Sequence, residues 1–156
     1  STDLLEAHAE VKFQSFRDEF DSVVFPCLSD FSSCRRLMTE ISRKRGFVPE
    51  ATWLARCVGS DARTSEPCGT IQAIRVGRSQ ANIQNLGVKP SHRGRGVGAG
   101  LIMRSLMGLQ QVGVTRTQLE VTAKNSGALE LYQRLGFRRI RTLYKAVEHD
   151  YSEAAT

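Results

Sequence analysis

The sequence predicts an α+β domain. Two observations carry this. Apolar positions repeat at strand spacing in some segments and at helix spacing in others, in the order β-α-α-β-β-β-α-β-α-β-β. Three consecutive strands also precede a glycine-rich strand-to-helix turn, which argues against a doubly wound parallel sheet. The length of 156 residues suits one domain, residues 1–156, with no room for a second full core.

The elements follow in chain order. Residues 11–16 alternate Val11, Phe13 and Ser15 and read as a first strand. Residues 17–28 carry Phe20, Val23, Val24 and Cys27 on a helical face that ends near Pro26. Ser32 or Ser33 caps a second helix running to Arg45, with Cys34, Leu37, Met38 and Ile41 at i, i+3, i+4, i+7 and Gly46 as its stop. Residues 52–58 and 69–76 read as strands joined by the polar turn 59–67. Residues 81–88 form a strand with a fault: Ala81 and Ile83 share one parity, Leu86 and Val88 the other. A one-residue phase slip near residues 84–86 is what a β-bulge produces. A helix follows the glycine-rich turn, with Ile102, Leu106 and Leu109 on one face and Gly113 at its end. Residues 116–122 are the next strand, with Leu119 and Val121 as its apolar face. Asn125 or Ser126 caps a short helix holding Ala128, Leu131, Tyr132 and Leu135, and Gly136 stops it. Residues 137–140 and 142–147 read as closing strands.

Composition narrows the function. Hydrophobic residues at 40% and charged residues at 24% describe a globular chain and exclude a disordered one. No apolar run is long enough to span a membrane. The first ten residues carry acids and no apolar stretch, against a secretory signal, and the chain begins at Ser1 with no initiator Met. Net charge is +6, unevenly spread: residues 1–66 carry −2, residues 67–147 carry +11, and the tail 148–156 carries −3. A half at +11 expects a polyanionic or phosphate-rich ligand; a solvated basic face is the plainer alternative. Cys27, Cys34, Cys57 and Cys68 have neither C-x-x-C spacing nor a neighbouring His, so no metal site is expected. They read as free thiols in a reducing cytoplasm, with Cys57 and Cys68 as core thiols.

The stretch that carries chemistry is residues 86–99, Leu86-Gly87-Val88-Lys89-Pro90-Ser91-His92-Arg93-Gly94-Arg95-Gly96-Val97-Gly98-Ala99. A strand feeds a loop containing Gly94, Gly96 and Gly98, and the loop opens a helix. Backbone N–H groups of such a loop converge on an anion, the helix dipole adds to the attraction, and a diphosphate fits. No Gly-Lys-Ser/Thr follows, so this is not a Walker loop. The glycine spacing also departs from the dinucleotide fingerprint, although Glu120 stands near where its ribose acid would lie.

These residues resemble a known family. Val88-x-Pro90 followed by Arg93-x-x-Gly96-x-Gly98 is similar to the coenzyme A pyrophosphate loop of the GNAT acetyltransferase superfamily. Leu119-Glu120-Val121, Asn125, Ala128, Leu131-Tyr132 and Leu135-Gly136-Phe137 resemble its second signature block. The twelve-residue step from Glu120 to Tyr132 agrees with the ribosomal-protein N-terminal acetyltransferase branch. The resemblance covers residues 67–147; residues 1–50 match in element order only.

The resemblance implies a GNAT fold: a mixed sheet of about six to seven strands with a splayed parallel pair, flanked by about four helices. It divides the domain into an acceptor-side half, residues 1–66, an acetyl-CoA half, residues 67–147, and the acidic tail 148–156. It implies acetyl-CoA as cosubstrate, with no metal, and direct transfer of the acetyl group to a primary amine. Backbone groups of Leu86, Gly87 and Val88 would line the pantetheine arm. The N–H groups of Gly94, Arg95, Gly96, Val97, Gly98 and Ala99 would hold the pyrophosphate, and Arg93 or Arg95 would meet phosphate charge. Asn125 would hydrogen-bond the pantetheine region. Tyr132 would protonate the leaving thiolate and also touch the cofactor. Glu120 would accept the amine proton, directly or through water. Gln84 and Asn85 stand where some members carry a catalytic Glu, which leaves Glu120 or a water chain as base.

Plainer roles exist for each residue. Tyr132 lies on the apolar stripe of its helix, Glu120 on a solvated strand face, Asn125 at a helix cap, and His92 in a loop. Two rival functions also stand beside the enzyme. One is a non-catalytic acyl-CoA-binding regulatory module of the same fold. The other is a nucleic-acid-binding module, disfavoured because the basic half lacks interleaved aromatics. The acceptor stays open between small amines and peptide or protein N-termini. Membranes are not expected partners, and a homodimer is compatible with the chain without being required by any motif.

Overall fold

The computed structural model describes residues 2–17 and 25–144. Four α-helices and four strands are formed among them, in the order α1 (Thr2–Phe16), α2 (Phe31–Arg43), β1 (Trp53–Val58), β2 (Ser65–Arg75), β3 (Gln80–Val88), α3 (Val97–Gln111), β4 (Arg116–Gln118) and α4 (Ser126–Arg134). The strands form one sheet in the order β1-β2-β3-β4. The first two pairings are antiparallel and β3–β4 is parallel. The α+β class and the mixed sheet with a splayed parallel pair therefore hold.

The N-terminal reading is corrected. Residues 11–16 are the last turns of α1, not a strand. The buried stripe of α1 is His8, Ala9, Val11, Lys12 and Ser15, spaced as a helix requires. Three of its five members are polar, so hydropathy does not reveal the period. The helix expected over residues 17–28 falls mostly on residues outside the described set, and Pro26–Leu28 forms a 3-10 turn. The cap of α2 is Asp30, whose carboxylate accepts from Ser33 N–H at 2.9 Å, rather than Ser32 or Ser33. That helix ends at Arg43, two residues short of the expectation.

Successive residues of a strand face opposite sides of the sheet, and β2 shows both faces covered. Ile71 packs with Ile83, Leu101 and Ile102, and Ala73 with Ala81, Leu109 and Val114, which places α3 on one face. Thr70 points the other way and meets His8 of α1: His8 Nδ1 lies 2.6 Å from Thr70 Oγ1.

The second half of the chain departs from expectation at its end. The strand expected over residues 116–122 stops at Gln118. Residues 137–144 form no strand, and residues 145–147 of the last expected strand lie outside the described set. The six to seven strands expected become four among the described residues. The physical reason is the early end of β4: past Gln118 no paired edge continues for a neighbour to extend. Only Phe137 of the segment packs into the core, while Ile140, Leu143 and Tyr144 are exposed. Gly113 and Gly136 follow their helices with φ of 82° and 91°, the left-handed stops the sequence expects.

Candidate active site

The site is built from a defect in β3 and the early end of β4. Parallel pairing runs from Gln80↔Arg116 through Ala81↔Thr117 to Asn82↔Gln118 and stops. On its other edge β3 pairs with β2 at Gln72↔Gln84 and again at Thr70↔Gly87, so β3 carries one extra residue between them. This is the bulge read from the phase slip. Asn85 sits in it with φ of 53°, a conformation that Asn tolerates better than most residues. Its Nδ2 donates to the Oε1 of buried Gln72 at 2.7 Å. A bulge bends and overtwists its strand, and beyond it β3 runs on to Val88 paired with β2 but with no strand along its β4-facing edge.

The open edge of β3 has a definite polarity. Lys89 N–H donates to Cys68 O at 2.9 Å, which makes Gly69↔Val88 a non-hydrogen-bonded pair. The N–H and C=O of Val88 therefore point away from β2, into the gap, and Leu86 shares that parity. Arg93 Nε donates to Val88 O at 3.1 Å.

The glycine loop follows at the end of this edge. A 3-10 turn at Pro90–His92 leads into it. Gly94 has φ of 72° and Gly96 φ of 81°, and neither has any atom within 4 Å of where a Cβ would stand. Two glycines thus give the left-handed turn and leave an open cradle in front of α3. Gly96 caps α3, and Gly100 N–H donates to Gly96 O at 2.9 Å. The N–H groups of Val97, Gly98 and Ala99 come before that bond and belong to the helix terminus, where backbone donors lack a helical acceptor. They stand at the positive end of a 15-residue helix, the arrangement that binds phosphate. Arg95 is exposed beside them. Arg93 Nη2 donates to Ser15 O at 2.8 Å, tying the loop to α1. His92 is buried, with Nδ1 2.8 Å from Ser91 Oγ and Nε2 3.4 Å from Glu66 Oε1.

Tyr132 is half-buried and joins Leu86, Val88, Val97, Leu119 and Leu131 around one apolar cluster, its ring edge-on to Phe137 at 6.0 Å. The fold thus brings Tyr132 to the open edge of β3 and the start of α3. Glu120 is exposed on the segment that leaves the sheet after β4. Asn125 caps α4, its Oδ1 accepting from Ala128 N–H at 3.1 Å. The sequence reading missed Ser15 and Gln72. Ser15 lies against the loop strand, since a Cβ on Gly87 would stand 3.0 Å from its Cβ. Reading α1 as a helix would have signalled it, whereas Gln72 carries no sequence signal.

Comparison with known proteins decides the family. The model of the family described as acetyltransferase (GNAT) family matches residues 15–137. The chain belongs to the acetyltransferase (GNAT) family. Its relatives include an Arabidopsis thaliana protein named N-alpha-acetyltransferase MAK3, 42% identical over 57 residues, which cover 36% of this GNAT chain and 30% of that protein. Another is N-alpha-acetyltransferase RimI of Mycobacterium tuberculosis, 38% identical over 69 residues, covering 42% of each. The matches thus span less than half the length of these curated relatives. Among solved structures, a Thermoplasma acidophilum paia N-acetyltransferase in complex with coenzyme A superposes with a TM-score of 0.66 at 16% identity, over 88% of this chain and 86% of that one. That likeness shows the GNAT fold. Among the described residues no helix is long and apolar enough to cross a membrane.

Proposed function

We propose that this GNAT domain transfers an acetyl group from acetyl-CoA to a primary amine, on a small molecule or a peptide N-terminus. One observation carries the reading: parallel pairing stops at Asn82↔Gln118, so the bulged end of β3 is an open edge leading straight to the glycine cradle of α3. The cradle suits a pyrophosphate, because a side chain at Gly94 or Gly96 would stand where the anion approaches. The N–H groups of residues 97–99 hold its oxygens, and Arg95 supplies charge from the rim. Leu86 and Val88 offer the pantetheine amides an edge to pair with, as an added strand does. Asn125, with its Oδ1 used in the cap, contributes through Nδ2.

The chemistry asks for two proton movements. The amine loses a proton and its lone pair attacks the thioester carbonyl; the C–S bond breaks and the sulfur leaves as a thiolate. The Val88 N–H faces the gap and polarises the carbonyl. The Tyr132 hydroxyl gives its proton to the thiolate, and Glu120, alone or through water, takes the proton from the amine. Holding both reactants in one cleft supplies much of the rate. Helices α1 and α2 form the acceptor side.

The test is CoA release from acetyl-CoA across a panel of amines and N-terminal peptides. An amine-dependent rate is expected, and Tyr132→Phe is expected to lower kcat by roughly 10²-fold or more with little change in cofactor affinity. Tight binding without turnover on any amine would mean a non-catalytic acyl-CoA-binding module. A fully active Tyr132→Phe would remove the acid role from Tyr132.

A further inference from the structure

Two thiols meet outside the cofactor gap, where β1 joins β2. The register runs Val58↔Ser65, Cys57↔Glu66, Arg56↔Pro67 and then jumps to Ala55↔Gly69, so Cys68 is an extra residue on β2. This second bulge sets Cys68 Sγ 2.8 Å from Cys57 Sγ. A disulfide has an S–S distance of roughly 2.05 Å, so the sulfurs need to close by only about 0.8 Å.

The surrounding backbone already holds the pair in register. Arg56 donates from Nε to Ser65 Oγ and from Nη2 to Ser65 O, both at 3.2 Å. The hairpin turn is closed by Gly59 N–H to Thr64 O at 2.8 Å, and Asp61 Oδ1 accepts from Thr64 Oγ1 at 3.1 Å. Cys57 is half-buried and Cys68 fully buried, so a soluble reagent meets Cys57 first. Both residues lie near the chain that leads into the glycine loop. The Cys68 carbonyl accepts from Lys89 N–H, next to Val88. Glu66, opposite Cys57, is the acid facing His92.

We propose that Cys57 and Cys68 are a reversible disulfide site that fixes β1 to β2 beside the glycine loop. The oxidant is a low-molecular-weight disulfide, RSSR. The Cys57 thiolate attacks one of its sulfurs, forms a mixed disulfide and releases RS⁻, which takes up the proton Cys57 lost. Cys68 then gives its proton to solvent and attacks Cys57 Sγ, forming the protein disulfide and releasing the second RS⁻, which is protonated in turn. Two protein thiols are oxidised and RSSR is reduced to two RSH. Burial pushes the Cys68 thiol up to about 12, which makes its attack the slow step.

The test is a time course of the full chain in oxidised glutathione, quenched in acid, alkylated and cut with trypsin. Arg56, Arg63 and Arg75 place Cys57 and Cys68 on separate peptides. A glutathione adduct on the Cys57 peptide is expected early. It gives way to a linked pair of peptides that becomes the main form and is undone by dithiothreitol. In Cys68→Ser the adduct on Cys57 is expected to persist. Because a change at a buried residue can impair folding, the wild-type time course stands alone as the readout. Recovery of both peptides as alkylated free thiols, or a wild-type adduct on Cys57 that never resolves, overturns the proposal.

Discussion

Asn85 donates a hydrogen bond to Gln72 across the β2–β3 pair while its own backbone holds the left-handed conformation of the bulge. The two facts belong together. The bulge needs a residue that accepts positive φ, and Gln72, buried at 2% exposure, needs a partner for its amide oxygen. Replacement by a β-branched residue removes both. Asn85→Val is expected to lose about 2–4 kcal/mol, from backbone strain and an orphaned buried acceptor. Asn85→Gly keeps the conformation and loses only the bond, so denaturant titration should place it between wild type and the valine variant. Equal stability of valine and wild type would remove the bulge from the account.

The seam between α3 and the chain before β1 tests close packing. A Cβ on Gly108 would lie 1.9 Å from Glu50 O and 2.5 Å from Glu50 C, both backbone atoms. Helix propensity favours alanine by about 1 kcal/mol, but overpacking costs about 1–3 kcal/mol or more, and backbone cannot swing aside as a side chain does. Gly108→Ala should lower Tm by several degrees. Gly100→Ala on the same helix, with open space around its Cβ, should leave Tm unchanged or raise it.

His8 gives the fold a pH dependence. Burial lowers its pKa from 6.5 to about 4, so the native state keeps it neutral while the unfolded chain protonates it first. Stability from this group is complete above pH 6.5 and is lost as pH falls toward 4, up to about 3 kcal/mol. The measurement is urea unfolding at stepped pH, compared with His8→Asn. A variant with the same slope as wild type between pH 6.5 and 4 would falsify this assignment.

What could be read from the residues alone followed the kind of signal each element leaves. The bulge was legible because Ala81 and Ile83 are out of phase with Leu86 and Val88, a pattern set by burial on the sheet face. The loop was legible because Gly94 and Gly96 stand where side chains would fill the cradle. Helix α1 was not, since His8, Lys12 and Ser15 occupy its buried stripe and hide the period. The end of β4 was not, because Leu119 and Val121 keep strand-like alternation after hydrogen bonding has stopped. Arg93, which the resemblance offers beside Arg95 as a partner for phosphate charge, also joins Val88 O to Ser15 O in the fold, a long-range bond that no local pattern announces.

The central claim is that the glycine cradle of α3 receives the phosphates of coenzyme A. Calorimetric titration with acetyl-CoA, on wild type and Gly96→Asp, tests it most directly, with circular dichroism confirming that both are folded. The account predicts micromolar binding by wild type and a loss of at least roughly tenfold, about 1.4 kcal/mol, when a carboxylate enters the cradle. Absence of binding by the wild type, or equal affinity in the folded variant, would contradict it.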